Sequence, residues 1–289
     1  IDIGGQNMKI AISVETTADL SKEILNEFDI HAIPLTVLLG EQVFVDGDID
    51  GATIFEFVEE NGILPKTSAV NEAQFKDYFE GLLKDYNYVI HLSISSEMSA
   101  TYQNAKNVAE TLENVYVIDS RNLSTGIGLL ALAARDLANK GVQPLDIVDQ
   151  IKERIPDVQA SFVIDKLDYL YKGGRCTSVQ KFGATILRLK PEIVVKNGTM
   201  SAETNFRGKN SVVISQYCDD ILKKFDNPDL TRAFVTYSSA SIEMIDAAVN
   251  ALQAAGFQKI YCTTAGATVS SHCGPKTLGI LYINDGDKI

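Results

Sequence analysis

Three groups of hydroxyl side chains stand where an apolar run gives way to helix-forming text. Thr67 and Ser68 precede the run that opens at Asn71. Ser93, Ser95 and Ser96 end the run Tyr88–Ile94 and lead into Ser99 and Thr101. Ser120, Ser124 and Thr125 do the same after Val117–Asp119. Hydroxyl donors beside the free N–H groups of a helix start suit an anion, either a carboxylate or a phosphate. Each serine alone is also an ordinary helix cap. Three such clusters in one half of the chain leave an anion site and plain capping as even alternatives.

The three histidines differ in setting. His31 lies beside the strand text Ala32–Leu39 and His91 within strand text, so both read as structural. His272 stands in SSHCGP, in a loop expected before the last strand. A loop histidine flanked by hydroxyls can donate to an anion or act in catalysis. Two basic loops stand out in the second half, Lys172-Gly173-Gly174-Arg175 and Arg207-Gly208-Lys209. Each suits an acidic partner or a phosphate, or is a basic helix end closed by glycine.

Other chemistry finds no support. There is no phosphate-binding G-x-x-x-x-G-K-[ST], no G-x-G-x-x-G after the first strand, no H-E-x-x-H and no G-x-S-x-G. Asp46, Asp48 and Asp50 are spaced like a calcium loop, but DGDIDGATIFE lacks the closing glutamate in register, so it reads as solvated loop. The four cysteines form no C-x-x-C pair and no zinc spacing, which fits reduced thiols in a cytoplasmic protein. No metal or cofactor is expected.

The elements that must position these groups alternate. Strand text at Lys9–Val14, Ala32–Leu39, Tyr88–Ile94 and Val115–Ile118 is separated by helical text at Leu20–Phe28, Thr53–Asn61, Asn71–Tyr86 and Ser99–Leu112. Asn71 with Gln74 approaches a capping box. Helices follow at Thr125–Lys140 and Pro144–Ile155. This order predicts an α/β class: an N-terminal α/β/α domain with a parallel sheet over residues 8–156. Beyond Pro156, strands at Gln159–Ile164, Pro191–Lys196, Met200–Phe206, Arg232–Tyr237, Lys259–Thr263 and Thr277–Ile283 are mixed with helices at Ser178–Leu189, Asn210–Phe225 and Ile242–Ala255. They predict a C-terminal α+β domain with a mixed sheet over residues 157–289. Residues 1–7 precede Met8 without periodicity and are expected to be an appended remnant outside the fold.

In Leu123–Ala134 (LSTGIGLLALAA) two glycines cost helix propensity, roughly 1 kcal/mol each. Something must approach closely there, either a packed backbone or an extended apolar ligand.

At 289 residues the chain can bury a large core without staples. With 26 basic and 38 acidic residues the formal charge is −12, which argues against non-specific nucleic-acid or anionic-membrane binding. No apolar run approaches the ~20 residues that span a bilayer.

Seven segments, in order, resemble the DegV family of bacterial fatty-acid-binding proteins. They are ETTADLS, IHAIPLTV, KTSAVNEAQF, ISSEMSATYQNA, VYVIDSRNLSTGIG, LDYLYKGGR and SHCGPKTLGI. The resemblance spans nearly the whole chain after Met8. It implies one long-chain fatty acid in a buried tunnel between two domains, its carboxylate held by Thr67 or Ser68, Ser96 and His272. Arg175 and Arg207 would lie near the carboxylate or a partner contact. The partner it implies is a separate dihydroxyacetone-kinase-like fatty acid kinase that phosphorylates the carboxylate, leaving this chain a carrier without turnover of its own. Gly126, Gly128 and Ala131 are read beside this as a tunnel wall. The chain departs from the family pattern at Glu15 and Thr16, at Ala69-Val70-Asn71, at Ala100 and at Lys276. The competing reading is an acyl hydrolase or transferase with Ser96 as nucleophile and His272 as base.

Overall fold

The computed structural model describes residues 8–176 and 189–288. The helical text expected at Ser178–Leu189 lies largely outside the described residues.

The first sheet is all parallel. Strands β1 (Ile10–Glu15), β2 (Ile30–Ile33), β6 (Tyr88–Ser93) and β7 (Val115–Asp119) stand in the order β2-β1-β6-β7. Helices α1 (Lys22–Glu27), α3 (Glu72–Leu82) and α4 (Thr101–Ala109) connect or cover them. All six residues of β1 are buried, as expected of a central strand covered on both faces. The capping box at α3 is formed: Asn71 accepts from Gln74 N–H, and Gln74 reaches back to Asn71 N–H.

The text Ala32–Leu39 reads as one strand, but the structure divides it. Ile30–Ile33 stays in the parallel sheet. Thr36–Leu39 (β3) pairs antiparallel with β4 (Gln42–Val45) and β5 (Lys66–Ser68) in a separate small sheet. Pro34 lacks the N–H that a continuous ladder needs, so the chain changes sheets there. Helix α2 (Gly51–Asn61) joins β4 to β5 and ends at Gly62, which is left-handed at φ 64°.

The second sheet is mixed, in the order β10-β9-β8-β13-β11-β12. Its strands are β8 (Val158–Val163), β9 (Lys190–Lys196), β10 (Thr199–Phe206), β11 (Arg232–Ser238), β12 (Lys259–Thr264) and β13 (Thr277–Ile283). Only β11 and β12 run parallel. Helices α8 (Asn210–Lys224) and α9 (Ile242–Ala254) pack together on this sheet.

Helix α5 (Thr125–Asn139) lies between the two large sheets and touches β1 and β6 of one and β8, β11 and β13 of the other. Thr125 through Arg135 are all buried, the mark of a helix enclosed on every side. One apolar cluster joins Ile12, Ile90 and Leu130 to Phe162, Ile193 and Leu281. Helix α6 (Pro144–Arg154) carries the chain toward β8, with Pro144 in its first turn. Two short helices complete the fold, α7 (Asp168–Gly173) and α10 (Ala267–Cys273).

The small residues of α5 serve this packing. A Cβ at Gly128 would meet Leu20 Cδ2 at 2.7 Å, and one at Gly126 would meet Asn122 Oδ1 at 2.7 Å. At the two glycines the close neighbour is protein, and none of Gly126, Gly128 and Ala131, read as a tunnel wall, is among the residues lining the cavity described next.

Candidate functional site

A cavity of about 540 Å³ opens among the small sheet, the carboxyl ends of the parallel strands and α10. That lies within the ~300–1,000 Å³ usual for small-ligand sites. Its walls include Thr67, Ile94, Ser96, Leu123, Val269 and His272. Arg175 and Met200 also border it. A separate small void of about 30 Å³ shares the lining residues Leu123, Val269 and Cys273 with it and is bordered further by Ala160, Phe162, Val195 and Leu281 of the mixed sheet.

The polar end is built by strand alternation and a short helix. Thr67 pairs with the fully buried Val37, so the two share the inner face of the small sheet. Ser68 points the opposite way, is exposed and does not line the cavity. His272 is expected in a loop but lies in the last turn of α10. Its Nε2 is 2.8 Å from Thr67 Oγ1. Burial pushes the imidazole pKa down to about 4, with Arg175 adding repulsion, so the ring is neutral near pH 7.

The other ring nitrogen indicates the tautomer. Nδ1 is buried without a hydrogen-bond partner among the described residues. A Cβ at Gly173 would lie 2.8 Å from it, so glycine is what lets α7 pass the ring. An orphaned buried N–H is rarer than an orphaned acceptor. The proton therefore belongs on Nε2, which donates to Thr67 Oγ1. The Thr67 hydroxyl is then free to donate into the cavity.

Helix α10 is seated by two carboxylates that sequence reasoning missed. Asp19 accepts from Gly266 N–H at 2.8 Å and from Ser124 Oγ at 2.5 Å. Asp46 accepts from Ala267 N–H at 3.0 Å and from Thr16 Oγ1 at 2.9 Å. Asp46 is only 4% exposed, which corrects the solvated-loop reading of DGDIDG for that residue. Burial pushes the Asp19 carboxyl up to about 8, against the lowering hydrogen bonds from Ser124 and Gly266. The sequence offers no signal for these contacts, since they join positions far apart in the chain.

Ser96 is exposed on the cavity wall and its hydroxyl is engaged. Its Oγ donates to Asp119 Oδ2 at 2.6 Å and accepts from Arg121 Nη1 at 3.3 Å. Ser96 and His272 border one cavity, but each is bonded elsewhere, so they do not form the nucleophile–base pair of the hydrolase reading. Arg175 borders the cavity with its guanidinium on the Gly173 carbonyl. Arg207 is exposed after β10 and does not line the cavity. His91 is buried between Glu15 and Ser13, at 3.0 and 2.9 Å, and His31 meets Tyr86.

A second cleft of about 400 Å³ lies near the carboxyl end of α5. Several of its charges pair with one another: Arg154 with Asp229 and Asp285, and Arg232 with Asp136. Among the described residues no cluster of His, Cys, Asp or Glu could hold a metal ion, and no helix is long and apolar enough to cross a membrane.

Fold and site define an α/β protein that encloses an apolar cavity with a hydroxyl–imidazole pair at its polar end. The chain belongs to the DegV family, whose family model, described as "Uncharacterised protein, DegV family", matches residues 9–285. A DegV domain-containing protein of Clostridium acetobutylicum is 32% identical over 282 residues, covering 95% of this chain and 98% of the relative. The structure of a DegV family protein from Thermus thermophilus, described by its fatty acid binding, superposes with a TM-score of 0.87 at 27% identity, covering 96% of this chain and 99% of that one. DegV of Bacillus subtilis, described as a fatty acid binding protein, gives 0.83 at 28% identity with coverage of 96% and 99%.

Proposed function

We propose that this protein binds one long-chain fatty acid, with the carboxylate at the Thr67–His272 end of the cavity and the acyl chain running inward past Leu123, Val269 and Cys273. The observation that carries the reading is a cavity of about 540 Å³ that sets the Thr67–His272 pair beside apolar walls such as Ile94, Leu123 and Val269. Fatty acid binding in similar DegV proteins supports it. The ligand would lie between an N-terminal unit, 8–156, and a C-terminal unit, 157–289.

The energetics divide between tail and head. Each buried methylene contributes ~0.8 kcal/mol, so a long acyl chain supplies roughly 10 kcal/mol before the costs of association. A carboxylate leaving water must keep hydrogen bonds. Thr67 can donate one, since His272 holds its oxygen from behind. Ser96 can donate only by turning from Asp119. Arg175 supplies a cationic side chain on the cavity wall.

The finer part of the reading is that the loaded protein presents its carboxylate to a separate dihydroxyacetone-kinase-like kinase in the cytoplasm and carries out no turnover itself. It rests on the family resemblance of the segments quoted above.

Native mass spectrometry of protein purified from cells tests the core of the proposal. A fatty acid in about one-to-one ratio is the expected result. Protein that carries none, and takes up none from a fatty acid solution, overturns it. Turnover of an activated acyl ester, abolished by Ser96→Ala, would favour the hydrolase instead.

A further inference from the structure

Where the β9–β10 hairpin meets the parallel sheet, its turn rests on residues beside the cavity. The turn is Asn197-Gly198, both left-handed at φ 52° and 82°, the form that a two-residue hairpin favours. Arg121, which follows β7, donates through Nη2 to the Asn197 carbonyl. Ser95 Oγ donates to the Gly198 carbonyl at 2.7 Å. A Cβ at Gly198 would stand 2.6 Å from Ser95 Oγ and 2.8 Å from Arg121 Cζ, so the fit leaves no room for a side chain.

Arg121 also faces the cavity wall. Its Nη1 lies 3.3 Å from Ser96 Oγ, 3.3 Å from Glu97 Oε1 and 3.6 Å from Asp119 Oδ2. Ser96 and Glu97 line the cavity, and so does Met200, two residues beyond Gly198 on β10. The hairpin therefore borders the cavity through Met200 and the Ser95–Met98 segment through Ser96, Glu97 and Met98. Arg121 and Ser95 tie the two together without lining the cavity themselves.

We propose that Arg121 is a positioning residue that latches the Asn197-Gly198 turn to the Ser95–Glu97 segment and so sets how fast a fatty acid enters and leaves. This rests on the fatty-acid reading above. The guanidinium is well suited to the task, because its planar fork donates to a carbonyl on one sheet and to hydroxyl and carboxylate groups on the other. The contact is partly open to solvent, with the Arg121 side chain 36% exposed, so it can break without unfolding the core. Since a latch lies on the route and not against the ligand, releasing it speeds both directions.

Stopped-flow measurement with cis-parinaric acid, a fluorescent long-chain fatty acid, tests this. Arg121→Gln is expected to raise the association and dissociation rates together by about tenfold, with Kd changed by less than about threefold. Arg121→Lys keeps one donor and is expected to fall between. Ser95→Ala, which removes the second tie to the turn, checks the result independently of Arg121, and thermal melting of the unloaded proteins confirms that each is folded. Rates equal to wild type in both variants overturn the latch. So does a faster dissociation with unchanged association, which marks Arg121 as a ligand contact. If the wild-type protein binds no fatty acid, the underlying reading fails instead.

Discussion

Thr67 Oγ1 and His272 Nε2 lie 2.8 Å apart although 205 positions separate the residues in the chain. The threonine comes from the edge of a three-stranded sheet and the histidine from a helix seated by two buried carboxylates. With the ring neutral and its proton on Nε2, the imidazole donates to Thr67 and leaves the threonine hydroxyl to face the cavity.

That order of action separates the two side chains experimentally. Thr67→Val keeps the shape and removes the hydroxyl. It is expected to weaken binding of a long-chain fatty acid about tenfold while leaving its methyl ester unaffected, because the ester carries no charge to hold. Equal losses for acid and ester in a titration would remove Thr67 from the carboxylate end.

The imidazole also writes itself into the pH dependence of folding. Its folded pKa, about 4, lies below the ordinary value of 6.5. Below pH 6.5 the unfolded chain takes up a proton that the folded chain refuses. The stability contribution is thus present above pH 6.5 and lost as pH falls toward 4, by up to roughly 3 kcal/mol. Denaturant unfolding from pH 7 to 4.5 should show this loss in wild type and a flatter profile in His272→Gln.

Asp19 acts in the opposite direction. Its folded pKa, about 8, stands above the ordinary 3.8, so its contribution is full below pH 3.8 and is lost as pH rises through 8. Asp19→Asn cannot ionise, and its melting temperature should fall less between pH 6 and pH 9 than that of wild type. An identical fall in both would show that Asp19 does not hold its proton.

Gly173 lies where the α7 backbone passes the His272 ring. Gly173→Ala would place a methyl group 2.8 Å from Nδ1. Overpacking of this kind costs about 1–3 kcal/mol. Chemical denaturation would measure the loss, and Gly81→Ala, at a helical glycine where no atom lies within 4 Å of an added Cβ, serves as a control for helix propensity alone.

The acyl path is open to a steric test. Val269 borders both the cavity and the inner void. Val269→Phe should block long chains and spare short ones, read as a shift in the lengths of fatty acid extracted from the purified protein. Unchanged lengths would put the tail elsewhere.

Much of the fold was legible because its signals are local. Strand β1, with every residue buried, and helix α3, with its capping box, follow from β-branched runs and from Asn71 and Gln74 alone. Helix α2 stops at Gly62 and α6 opens with Pro144, as those residues dictate. The seven ordered motifs carried the family. Position in space is another matter. Thr67 and Ser68 are adjacent and chemically alike, and only the pairing of β5 with β3 turns one inward and the other out. Asp46 looks like solvated loop until the chain folds α10 onto it. The two glycines of α5 signalled close approach correctly, but what approaches is Leu20 and Asn122. Element type, family and residue chemistry are local properties, written in neighbouring side chains. Which hydroxyl faces the cavity, which carboxyl groups seat the histidine helix and which arginine ties the Asn197-Gly198 turn to the strand ends depend on contacts between distant segments, and those exist only once strand register and helix packing have brought them together.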